Sequence, residues 1–239
     1  MRKQFRVWAV LFTAVSAFAQ QSSIQQSLPD APAPSTEAPS AEEAKQGGRI
    51  LGIIPNFRSL EDGQYAKPLT PKQKFKLASQ DAFDPSAFLV AGFLGGISYA
   101  ENNYPEWGHG GTAIGKYYAG GFADQAIGDY MTEAVLPTLL HQDPRYYVLG
   151  KGGFKKRLWY AVKQEVSAYG DDGKRRFNTS EIAGNAIAAG ISTAYYPAQE
   201  RNFGQVANKW GQQIYSDAFF NVLKEFWPDM RRSIFKQKD

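Results

Sequence analysis

The chain has 239 residues, with 27 Lys and Arg against 23 Asp and Glu, two His and no Cys. Without cysteine there can be no disulfide, Fe–S cluster, thiolate zinc site or lipidated N-terminal cysteine, so the fold must hold by packing alone. Three of the basic residues and none of the acidic ones lie within residues 1–19, which leaves 24 against 23 in the rest; that balance gives no support to nucleic-acid binding, which needs a basic patch on the folded domain.

In chain order, Arg2, Lys3 and Arg6 precede an apolar run from Val7 to Phe18, and Ala17-Phe18-Ala19 offers a small-x-small cleavage site. That order of parts predicts a signal peptide over 1–19 and export to the periplasm or outer envelope. Residues 20–48 are rich in Gln, Ser, Pro, Ala and Glu and read as a disordered linker, because they cannot bury enough apolar surface to offset their ordering entropy. Residues 49–239 form the predicted helical domain. Its first piece, Ile50 to Ile54 ended by Pro55, reads as an extended docking arm, and 56–69 as loop.

Six helices follow. Thr70-Pro71 and Asp84-Pro85 are each an N-cap followed by proline at the first helical position, which starts helices running to about Gln80 and through Ala87–Ala100. A long helix is predicted from Thr112 to about Leu136, kinked or ended by Pro137. Phe154 to Tyr169 reads as amphipathic, with "YGDDGK" as a turn after it. Asn178 and Glu181 have the spacing of a capping box for a helix to about Tyr196. The last helix is predicted from Phe203 to Trp227, stopped by Pro228. The fold class is all-α: a bundle of about six helices with two central Gly/Ala-rich apolar ones, Ala87–Ala100 and Ile182–Tyr195.

Those two helices are apolar nearly all round, which places them inside a bundle or a membrane. Gly92 with Gly96, Gly184 with Ala188, and Ala186 with Gly190 are small residues four apart, a spacing that lets helices approach closely. The 14 residues of Ala87–Ala100 span ~21 Å at about 1.5 Å per residue, short of a bilayer core of about 30 Å. A soluble or surface-associated bundle is therefore preferred to integral insertion.

"LLHQDPRYY", "GKGGF", "RRFNTSEIAGN", "GISTAYYP" and "KEFWPD" come in this order. As a set they resemble a family of uncharacterised exported bacterial helical proteins, from about "GIIPNF" to "EFWPD". The resemblance implies export and a helical fold, and it carries over no catalytic residue.

Four constellations invite chemistry. His141 as general base with Asp143, or Arg145 as an anion clamp, is one reading of "LLHQDPRYY". The other is a corner in which Asp143-Pro144 starts a turn or helix and Arg145 finds a carboxylate, with Asp129, Glu133 and Asp124 as its candidates. His109 and Glu106, with His141, make a weak metal set that lacks H-x-x-x-H and H-E-x-x-H spacing. Asp124, Asp129 and Glu133 lie on one helix, Asp129 and Glu133 on a shared face with Asp124 offset, and they suit acid/base work or a solvated face. "GKGG" lacks the ending of a phosphate loop.

The reading is therefore an exported, envelope-associated protein with a structural or binding role, no cofactor, and a membrane surface or lipid as the expected partner. Two alternatives stay open. One is an envelope hydrolase using His141 with Asp143 or Asp129. The other is a carrier of an apolar ligand or lipid, with its cavity between the Gly-rich helices.

Overall fold

The computed structural model describes residues 49–50, 54–56, 58–60 and 66–234; the expected signal peptide and linker lie outside them. Among the described residues six α-helices form the bundle, as the capping grammar requires. Helix α1 (Pro71–Ala82) begins with a full capping box, in which Thr70 Oγ1 accepts from Gln73 N and Gln73 Oε1 accepts from Thr70 N. Helix α2 (Pro85–Ala100) is capped by Asp84, which accepts from Ser86 N at 2.8 Å and is also ion-paired with Arg49.

Helix α3 (Gly111–Asp129) does not stop at Pro137. It widens into a π-helical stretch, Tyr130–Val135, and closes with the turn Leu136–Leu139. Proline is tolerated there because it falls at the start of the closing turn, where its missing N–H costs least. Helix α4 (Phe154–Lys163) is shorter than its sequence pattern suggests. The chain turns at Gln164 into β5 (Ser167–Tyr169), antiparallel to β6 (Arg175–Phe177). Gly173, at φ +75°, makes the intervening turn. Helix α5 (Thr179–Ser192) is capped by Asn178, whose side chain accepts from Glu181 N at 3.2 Å.

Helix α6 (Phe203–Ile234) runs through Pro228 rather than ending before it. Arg157 clamps the helix across the proline: it donates to the carboxylate and carbonyl of Glu225 on one side and to Asp229 on the other. The segment expected to be loop contributes β3 (Ser59–Leu60), parallel to β4 (Tyr146–Tyr147) with Ser59 opposite Tyr146, while β1 (Arg49–Ile50) and β2 (Ile54–Pro55) pair antiparallel.

Close approaches fix the packing. A Cβ on Gly95 would stand 3.2 Å from the Tyr117 carbonyl, so this glycine sets the α2–α3 contact; Gly96 has no neighbour within 4 Å. A Cβ on Gly184 would stand 2.9 Å from Thr132 Cγ2, which seats α5 on the π-helical stretch. The predicted pair Gly92 and Gly96 thus makes neither half of the closest α2 contact, while in α5 Gly184 makes it and Gly190 meets nothing within 4 Å.

The interior is unusually polar. Fully buried side chains include Lys74, Glu133, Glu225 and Asn56, while Leu89, Phe93, Trp159 and Phe203 are 66 to 87% exposed. Among the described residues no helix is long and apolar enough to cross a membrane.

Candidate functional site

An interior cleft of about 420 Å³ lies among α1, α2, α3, α5 and α6. Each helix turns its few polar side chains inward, so the cleft has a charged floor. Asp81 comes from α1, Asp129 and Glu133 from α3 and its π-helical stretch, Asp217 and Lys224 from α6, and Arg58 from the N-terminal segment. One wall is apolar, built by Val90, Ala91 and Leu94 of α2.

Arg58 Nη1 is 3.1 Å from Glu133 Oε1. Asp81 and Glu133 are within hydrogen-bonding reach of each other. Two carboxylates supply no proton between them, so Asp81 Oδ1 and Glu133 Oε2 find a donor only if one of the pair is protonated. Burial pushes Asp129 and Glu133 well above the ordinary carboxylate range; neighbouring acids add to the shift and Arg58 opposes it. Burial also lowers Lys224 to about 8, helped by Arg58 and opposed by Asp81 and Glu133. Asp129 Oδ2 and Gln213 Oε1 are buried acceptors with no hydrogen-bond donor among the described residues.

From the floor inward, Asp217 joins Glu165 and Glu181, which do not line the cleft; each of the three offers an oxygen within 4.8 Å of the other two. Burial, with Glu181 and Asp217 nearby, lifts Glu165 to about 10; burial and Asp217 lift Glu181 to about 7. Asn221 Nδ2 donates to Glu165 at 2.6 Å, and Asn185 Nδ2 donates to Asp217 at 2.9 Å.

The other end of the cleft is aromatic. Tyr104, Trp107, Tyr117 and Tyr196 pack with ring centroids 4.8 to 5.4 Å apart. Asp124 accepts from Tyr195 Oη at 2.5 Å, Tyr196 Oη at 2.8 Å and Lys209 Nζ at 3.2 Å. The Lys209 ammonium sits 3.0 Å from the centroid of the Tyr196 ring.

The residues singled out from the sequence separate into three places. Asp143 and Arg145 pair with each other, two residues apart and both buried, with Arg145 Nη2 to Asp143 Oδ2 at 2.6 Å. Tyr147 Oη donates to the same carboxylate, and Arg145 also donates to the carbonyls of Ala66 and Lys67. Arg145 thus takes none of the α3 carboxylates expected as its partners, because Asp143 Oδ1 also accepts from its backbone N at 3.0 Å and sets the pair locally. The chain after Asp143 is extended into β4 rather than helical. His141 is exposed at this corner in the left-handed region, φ +53°.

Glu106 and His109 are exposed on the opposite end loop, where His109 stands edge-on to Tyr99. Among the described residues neither histidine belongs to a group of three or more acids and histidines close enough to hold one ion. Asp129, by contrast, is in the cleft. The solvated-face reading of Asp124, Asp129 and Glu133 does not hold: all three have interior partners or line the cleft.

Arg58, Asp81, Glu165, Glu181, Asp217 and Lys224 escaped sequence reasoning. A faint signal existed in α5, where Asn185 is the lone polar residue within an apolar run, and in α6, where Asp217 and Lys224 are seven apart and share a face. No family model, curated protein or solved structure matches this chain.

Proposed function

We propose that this is an exported, envelope-associated binding protein whose cleft takes a small amphipathic organic cation: an amine head on an apolar body. The observation that carries the reading is the make-up of the cleft wall. Six carboxyls (Asp81, Glu101, Asp124, Asp129, Glu133, Asp217) line it against three cations (Arg58, Lys209, Lys224), with undonated acceptors on Asp129 and Gln213. An ammonium brings donors and no acceptor, which suits that floor. The α2 wall and the tyrosines at the far end suit an apolar body.

The envelope location rests on the leader-like N-terminus and on the family resemblance. The outer face of α2 is consistent with it. That helix carries no charge and leaves Phe88, Leu89 and Phe93 exposed, while exposed Lys72 and Lys76 flank Phe75 on α1. Aromatic groups beside lysines match an anionic membrane surface. A hydrolase using His141 has less behind it, because Asp143 is already engaged by Arg145 and Tyr147.

The test is calorimetric titration with octylamine, octanol and octanoate, which share one apolar body. The amine binds most tightly, and Asp129→Asn weakens it at least tenfold. Octanoate binding as tightly as the amine, or no binding of the amine at all, would sink the proposal.

A further inference from the structure

We propose that Glu165, Glu181 and Asp217 form a calcium site reaching inward from the cleft floor. The three come from separate elements: the turn after α4, the first turn of α5 and the middle of α6. Their carboxylate oxygens all lie within 4.8 Å of one another. Oxygens bound to one Ca²⁺ stand no more than about 5 Å apart, since Ca–O bonds run roughly 2.3–2.6 Å, so the three are close enough to share one ion. Mg²⁺, at about 2.0–2.1 Å, demands near-ideal octahedral geometry and gives up its waters reluctantly, whereas Ca²⁺ accepts irregular carboxylate sets. The donors are oxygens only, the set that hard divalent ions take.

Two observations beyond the acidic cluster point the same way. Glu165 is 3% exposed, and its Oε2 has no hydrogen-bond partner among the described residues. Its other oxygen is fixed by Asn221 Nδ2 at 2.6 Å, so the carboxylate is oriented while one oxygen is left over. Beside the trio is a polar cavity of about 30 Å³, lined by Glu181, Asn221, Ser180 and Gln164. Gln164 is 7% exposed and its Nε2 also lacks a partner. A cavity of that size holds one water, and a metal-bound water there would accept from Gln164.

Arg58 and Arg145 also line that small cavity, and Arg58 and Lys224 act on Glu165 and Glu181 electrostatically, but each has another partner or place: Arg58 Nη1 is 3.1 Å from Glu133, Arg145 pairs with Asp143, and Lys224 lines the cleft. Asn185, which donates to Asp217 at 2.9 Å, and Asn221 then act as the outer partners that orient the ligands.

Asp217 also lines the cleft, so the site is tested with the ions alone and no organic ligand present. The full chain is stripped with chelator and titrated with Tb³⁺, using tryptophan excitation. Trp210 donates to the Ile182 carbonyl at 2.9 Å, next to Glu181, and serves as the antenna. Sensitised emission should appear and be displaced by Ca²⁺ at least tenfold more effectively than by Mg²⁺. Glu165→Gln and Asp217→Asn, which keep size and lose charge, should each weaken Ca²⁺ at least tenfold. Absence of displaceable emission from the wild-type protein overturns the site even if neither variant folds. Unchanged affinity in folded variants also overturns it, and equal displacement by Mg²⁺ overturns the calcium assignment.

Discussion

Arg58 and Glu133 meet at 3.1 Å inside the bundle, where the N-terminal segment crosses the π-helical stretch of α3. The pair ties residues far apart in sequence and gives the cleft floor a direct ion pair across that junction. Its cost is the removal of both charges from water, which the surrounding Asp81, Glu181 and Asp217 partly offset for the arginine.

Removing one partner of such a pair strands the other. Arg58→Ala should lower stability by about 3–5 kcal/mol at neutral pH, as for other broken buried pairs. Glu133→Gln should cost less, because burial already favours the uncharged form of that acid. Chemical denaturation of both variants checks the order; an Arg58→Ala loss smaller than that of Glu133→Gln contradicts it.

Mild acid should stabilise the chelator-treated protein. Asp129 and Glu133 are held above the ordinary carboxylate range, and Glu181 at about 7. A raised acid binds its proton more tightly folded than unfolded. Its stabilising contribution is therefore complete below the unfolded pKa, near 4, and is lost as pH rises through the folded value. Asp84 acts oppositely: Arg49 and Ser86 hold it at about 2, so its contribution is lost as pH falls from about 4 toward 2. The melting temperature should peak near pH 4–5 and decline toward pH 7. A steady rise from pH 5 to 7 is incompatible with this account.

Glycines of the two apolar helices should differ in tolerance. Gly184→Ala pushes a methyl to 2.9 Å from Thr132 Cγ2 and close to backbone, and should cost about 1–3 kcal/mol. Gly190→Ala and Gly96→Ala meet nothing within 4 Å and should be neutral or stabilising by up to about 1 kcal/mol. Thermal denaturation separates the two groups.

His141→Gly should be harmless or stabilising by up to about 1 kcal/mol, because it relieves a left-handed conformation at an exposed position. Octylamine affinity should not change. A tenfold loss of affinity would return His141 to the site.

Glu225 is fully buried and accepts from Tyr146 Oη, Leu149 N, Gly150 N and Arg157 Nε. Glu225→Ala should cost about 3–5 kcal/mol, since it strands Arg157 as well as the backbone donors. Denaturant unfolding measures it.

Helix existence was legible from local chemistry. Thr70, Asp84 and Asn178 cap α1, α2 and α5 as their sequence context indicates, because a cap needs only the residue and the next turn of backbone. The all-α class followed from those starts and from the scarcity of strand signals. The misses came where distant groups override local signals. Pro228 is carried through α6 by Arg157, 71 positions back in the numbering, and β5 replaces the end of α4 because Tyr169 packs on Tyr147. The site was the least legible part. Nothing in spacing says that Arg58, Asp81, Glu133, Glu165, Glu181, Asp217 and Lys224 share one interior, since they come from separate segments. A charged residue on a helix reads as solvent-facing until the packing of its neighbours is known. Here the helices turn large apolar side chains outward and keep Ala, Gly and ionisable groups inside. Only the assembled bundle, by removing water from those acids, decides that they are an interior cluster rather than a surface.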